Sequence, residues 1–201
     1  MDYDKALLKS WAETETWEEY LERVGAFNDK VSREGFRYLE SRYFKEIQKR
    51  IDYCKALLIE HDDSCIYYTL AELYDRGNLD ESVEQLYKRQ VRYYCIKAIR
   101  KDDTYAPAWE LLSEAYIWIA AIDGESCEMP MMETAINDQD IQICINRKVS
   151  KRHKSALFFI ECAIKAMKKA VSLDPGNRVY LSKLKEFYSI KSDEINCENK
   201  Y

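Results

Sequence analysis

Glycine and proline are scarce, five and three in 201 residues. Tight β-turns and flexible linkers draw on both, so an all-β sandwich or barrel and a long low-complexity segment are disfavoured by supply alone. No apolar run approaches the roughly eighteen residues that a membrane span needs. The opening Met1-Asp2-Tyr3-Asp4-Lys5 also lacks the basic-then-apolar layout of a secretory signal. A cytoplasmic chain with no membrane partner is the expectation. Histidine is limited to His61 and His153, which leaves few general-base candidates. The seven cysteines, at 54, 65, 95, 127, 144, 162 and 197, are odd in number and never stand in C-x2-C or C-x4-C spacing. Neither a disulfide framework nor a zinc site is indicated. Cys54, Cys95 and Cys162 fall in apolar helical stretches, where a free thiol acts as a small hydrophobe.

Positive charge is not in excess either. Lys and Arg number 31 against 36 Asp and Glu, a formal net charge of −5, which disfavours a nonspecific grip on nucleic-acid phosphates. G-x-G-x-x-G, G-x4-G-K-[ST], H-E-x-x-H and G-x-S-x-G are all missing. With so little glycine, a phosphate-cradling loop is hard to build. No catalytic, cofactor-binding or metal-ligating residue is assigned, and a noncatalytic role is expected.

What is present is core material: 47% of residues are hydrophobic and 13% aromatic, enough for one large domain or two small ones. An all-α fold follows. Self-similarity then organises the chain. Ala56, Ala98 and Ala170 each lie in a helical run and are followed eleven residues later by Tyr67, Trp109 and Leu181. The same spacing returns after each anchor: Tyr67-x2-Leu70-x3-Tyr74, Trp109-x2-Leu112-x3-Tyr116 and Leu181-x2-Leu184-x3-Tyr188. A polar breaker separates Ala from anchor each time: His61-Asp62-Asp63-Ser64, Lys101-Asp102-Asp103-Thr104 and Asp174-Pro175-Gly176-Asn177. The pattern reads as helix, tight turn, helix, with the acidic pairs ending one helix and capping the next. The small Ala would let two helices approach closely.

These residues resemble the tetratricopeptide repeat, whose signature runs W-x2-L-G-x2-Y, then A-x3-F, then A and P. The best copies are Trp109-Glu110-Leu111-Leu112-Ser113-Glu114-Ala115-Tyr116, and Ala163-x3-Met167-x2-Ala170 running to Pro175. Ala71, Ser113 and Lys185 replace the usual Gly, and the anchors stand 42 and 72 residues apart against about 34 in the family. Insertions account for the difference. One falls in Asp75 to Gln90, where Gly77-Asn78 is a turn, Asp80 a cap and Glu81 to Arg100 a lengthened helix. The other spans about residues 121–155 and includes Met129 to Asp140, the least periodic stretch of the chain; residues 125–145, which lack a clean helical period, are expected to be exposed.

The resemblance implies a right-handed solenoid of helical hairpins over residues 48–201, with an N-terminal helical extension over 1–47. In that extension Trp17 to Val24 reads as an amphipathic helix capped by Thr16, with Glu18 and Glu19 near its N-terminus. Phe36 to Glu60 could form a single helix of about 40 Å; a degenerate first repeat broken near Gln48 is the alternative. The last helix, Val179 to about Asn196, carries Lys183, Lys185, Lys191 and Asp193 off its apolar stripe, the polar outer face of a terminal cap.

In tetratricopeptide proteins the first helix of each repeat lines a concave groove. The resemblance therefore implies that Glu72, Glu114 and Glu186, each two residues before the last Tyr of its copy, face a ligand, with Glu110 extending the row. Glu is also simply a good solvent-facing helix former. The family's chaperone-tail clamp uses Lys, Arg and Asn where this chain has Glu110, Glu114 and Ser182, so that activity is disfavoured. Tyr68 and Trp118 stand outside the signature. Trp118 turns about 200° from Tyr116, either under the long insertion or outward as an anchor. The run Arg147 to Lys154 holds five Lys or Arg in eight residues, a solvated face or an electrostatic docking element. The expected function is a protein-binding adaptor or regulatory subunit that takes a protein or peptide partner with a basic segment. The alternative is a secretion-type chaperone holding an exported segment.

Overall fold

A computed structural model describes residues 4–13, 15–24, 33–77, 81–123 and 152–198. The described residues form eight α-helices and no strand. The chain divides into two compact units, Met1–Tyr94 and Cys95–Tyr201.

In the first unit, α1 spans Lys5–Ala12 and α2 Trp17–Arg23. Asp4 caps α1 by accepting from the amides of Ala6 and Leu7 at 2.9 and 3.1 Å. This helix has no counterpart in the sequence reading, although Asp4 is a cap signal. Thr16 caps α2 as expected, in a full capping box. Its hydroxyl accepts from the Glu19 amide at 3.2 Å, and the Glu19 carboxylate accepts from the Thr16 amide at 2.7 Å. Helix α3 runs unbroken over Arg33–Leu57, and α4 over Ser64–Arg76, capped by Asp63 through the Cys65 amide at 2.8 Å. Tyr43, Ile47, Ile51 and Cys54 project from α3 at helical spacing into one core, where they meet Leu8 of α1, Trp17 and Leu21 of α2, and Ile66, Leu70 and Leu73 of α4. Each fully buried Leu or Ile contributes about 1.5–3 kcal/mol. Thr69, also buried, donates to the carbonyl of Cys65 at 2.9 Å and faces the Leu8 carbonyl at 3.3 Å, joining α4 to α1.

The 47/48 position falls inside α3, and Ile47 shares its core with residues of α1 and α2. Ala56 is exposed. With Ile51 and Cys54 turned inward, a residue two positions past Cys54 points about 200° away.

Helix α5 covers Glu81–Lys101, close to the lengthened helix expected, and the unit division falls within it. The expected turn residue Asn78 and cap residue Asp80 lie outside the described residues, as does the 125–145 segment. In the second unit, α6 spans Ala106–Asp123, α7 Arg152–Leu173 and α8 Arg178–Glu198; α7 packs against both others. Trp109, Leu112 and Tyr116 are buried as the repeat pattern requires, and so are Ala98, Ala163, Met167 and Ala170. The third copy is rotated. Leu181 is 39% and Tyr188 44% exposed, while Tyr180 and Phe187 enter the core. The stripe of α8 thus lies one residue earlier than the pattern placed it. Asn177 starts this helix by accepting from the amides of Val179 and Tyr180 at 3.1 and 3.3 Å.

Candidate functional site

The six candidate binding residues divide between the units. Tyr68 and Glu72 lie on α4 of the first; Glu110, Glu114 and Trp118 on α6 and Glu186 on α8 lie in the second.

On α4, four-residue spacing stacks Tyr68, Glu72 and Arg76 one turn apart. The Tyr68 hydroxyl donates to Glu72 Oε1 at 2.5 Å, and the Arg76 guanidinium donates to Oε2 at 3.2 Å. The Glu72 side chain keeps only 12% of its surface exposed. Burial raises its pKa above the ordinary 4.5 and outweighs the lowering by Tyr68 and Arg76. Glu72 is therefore an engaged, largely buried carboxyl.

On α6, Glu110, Glu114 and Trp118 follow at four-residue steps and share one face. Lys183 of α8 donates to a carboxylate oxygen of both Glu110 and Glu114. The two carboxylates are 16% and 34% exposed, the ammonium group's side chain 27%. Burial pulls the Lys183 pKa down, but the two hydrogen bonds outweigh it and the net shift is upward. The acidic row is thus compensated in part: one ammonium bridges two carboxylates. Trp118, one turn beyond Glu114, is 46% exposed. It stands out on a helix whose Leu111, Leu112, Ala115, Tyr116, Ile119 and Ala120 are all buried. Glu186 is exposed on α8.

The sequence pattern places Lys183 on a polar outer face, whereas in the structure it bridges two carboxylates of α6, and Lys191 likewise pairs with Glu161 of α7 at 2.9 Å. The signal was present: Lys183, Phe187 and Lys191 are spaced four apart, and a buried Phe187 carries both lysines toward the neighbouring helices. The acidic pairs act locally, as expected. Asp102 accepts from the Thr104 amide at 3.0 Å and its hydroxyl at 2.6 Å. Of the cysteines, Cys54, Cys95 and Cys162 are buried, and burial pushes the Cys54 thiol up to about 12. Among the described residues no group of three or more His, Cys, Asp or Glu is placed to hold a metal ion, and no helix is long and apolar enough to cross a membrane. Of the basic run, residues 147–151 lie outside the described residues.

No protein-family model matches the chain, and neither does any curated protein or solved structure with which it was compared.

Proposed function

We propose that this protein is a noncatalytic interaction module, an adaptor or regulatory subunit of the cytoplasm, built from tetratricopeptide-like hairpins in a right-handed solenoid. The observation that carries the reading is Trp118, nearly half exposed beside Glu114 on a helix whose other large aromatic residues, Trp109 and Tyr116, are buried. A large indole exposed beside a charged rim is the kind of anchor that dominates binding energy when a partner covers it. The partly exposed carboxylates of Glu110 and Glu114 beside it support a partner that brings a basic segment.

Affinity capture from the native host, read by mass spectrometry and run in parallel with wild type and Trp118→Ala, tests this. A protein retained by the wild type and lost from the variant, with an unchanged thermal melt, supports the reading. An identical set of captured proteins overturns it, and so does a melt lowered by several degrees, which would make Trp118 a packing residue.

A further inference from the structure

The first unit carries a second surface, whose charged lining is mainly cationic. Helices α2 and α3 border an open groove of about 640 Å³, within the range of about 300–1,000 Å³ typical of ligand sites. Five cationic side chains line it against two carboxylates, in a chain whose net charge is −5. The carboxylates are engaged: Glu15 is held by Arg23 at 2.6 Å, and Glu46 by Arg50 and Lys49 at 3.4 and 3.8 Å. Arg42 and Lys45 are exposed and have no carboxylate partner among the described residues. Tyr38, 66% exposed, stands one turn before Arg42 on the same side of α3.

Tyr38, Arg42, Lys45 and Lys49 make a continuous stripe, because steps of four, three and four residues keep to one face of a helix. At about 1.5 Å per residue the stripe is roughly 16 Å long, the reach of about five residues of extended peptide. We infer that this groove docks an acidic peptide segment of a partner protein, with Arg42 and Lys45 pairing its carboxylates and Tyr38 covering an apolar neighbour. Glu15 and Glu46 on the walls favour a peptide over a nucleic acid. A uniform polyanion would meet both carboxylates, whereas a peptide can place a neutral or basic residue opposite them. The site is on the first unit and does not depend on Trp118.

The test uses the full chain and a fluorescein-labelled synthetic peptide with Glu at alternate positions, followed by fluorescence anisotropy. A Lys-for-Glu version of the peptide and an oligouridine RNA of equal charge serve as competing probes. The Glu peptide is expected to bind, the Lys peptide not, and the RNA more weakly. Arg42→Glu with Lys45→Glu should weaken the Glu peptide at least about tenfold at low salt, since two attractive pairs become repulsive. Lys185→Glu in the second unit should leave it unchanged. If the double reversal shifts the melt, Arg42→Gln with Lys45→Gln is read in its place, with about threefold weakening expected. Equal binding of the Lys peptide, tighter binding of the RNA, no binding of the Glu peptide, or an affinity indifferent to these substitutions overturns the inference.

Discussion

The indole Nε1 of Trp109 donates to the backbone carbonyl of Asp103 at 2.9 Å. The ring that anchors α6 in its core therefore also closes the turn leading into that helix. Trp109 is 3% exposed, and Trp109→Ala should cost roughly 3–5 kcal/mol, the range for a large aromatic removed from a core. Trp109→Phe, which keeps most of the apolar surface but leaves the Asp103 carbonyl without its donor, should cost about 1–2 kcal/mol. Urea denaturation read on the second unit checks both. A loss below about 1 kcal/mol for the alanine variant would show that the ring does not hold the core.

Lys183 bridges two carboxylates that would otherwise repel each other. Lys183→Met should destabilise the second unit by about 1–3 kcal/mol, less than a fully buried pair because the site is partly solvated. Pairing it with Glu110→Gln and Glu114→Gln should restore most of that loss, since the uncompensated charge is then gone. The folded-state pKa of Lys183 is raised above 10.5, so the stabilisation is complete below that value and disappears only as pH rises through the folded one. Thermal melts of the variants near neutral pH therefore report the full effect. A triple variant no more stable than Lys183→Met would show that repulsion between the acids is not the cause.

Glu72 should produce the opposite pH behaviour from an exposed, ion-paired carboxylate. Its carboxyl holds a proton to higher pH in the folded chain than the ordinary 4.5. The associated stability is thus present below 4.5 and is lost as pH rises through the raised folded value. Glu72→Gln removes that slope. Relative to the variant, the wild type should lose stability as pH rises from 4.5 through the raised folded value. Parallel melts across that window decide the matter, and a difference that stays flat with pH would mean the carboxyl is well solvated.

Thr16→Ala removes half of the capping box on α2 and should cost about 1 kcal/mol. Glu19→Ala should cost less, because the Thr16 amide it leaves behind can reach water. Chemical denaturation of the first unit measures both, and the reverse order would show that the carboxylate is the principal cap.

The features legible in the sequence are the local ones. Thr16 with Glu19, Asp63 and Asn177 cap helices through amides two or three residues away, so their roles follow from adjacency. The spacing of Trp109, Leu112 and Tyr116 marks a buried face because one helix can turn only one side to a core. The all-α class follows from the same periodicity and from the shortage of glycine and proline. What tertiary structure decided is how each face was used. Successive residues differ by about 100° around a helix, so an apolar stripe read from sequence is uncertain by one position, and on α8 the core selected Tyr180 and Phe187 over Leu181 and Tyr188. Ala56 matched the repeat by type, yet the inward turn of Ile51 and Cys54 carried it to the surface. The charge of the candidate site depended on contacts across long stretches of chain: Lys183 meets Glu110 and Glu114 from 73 and 69 residues away. Periodicity identifies which residues share a face, but only packing brings a lysine of one helix between two carboxylates of another.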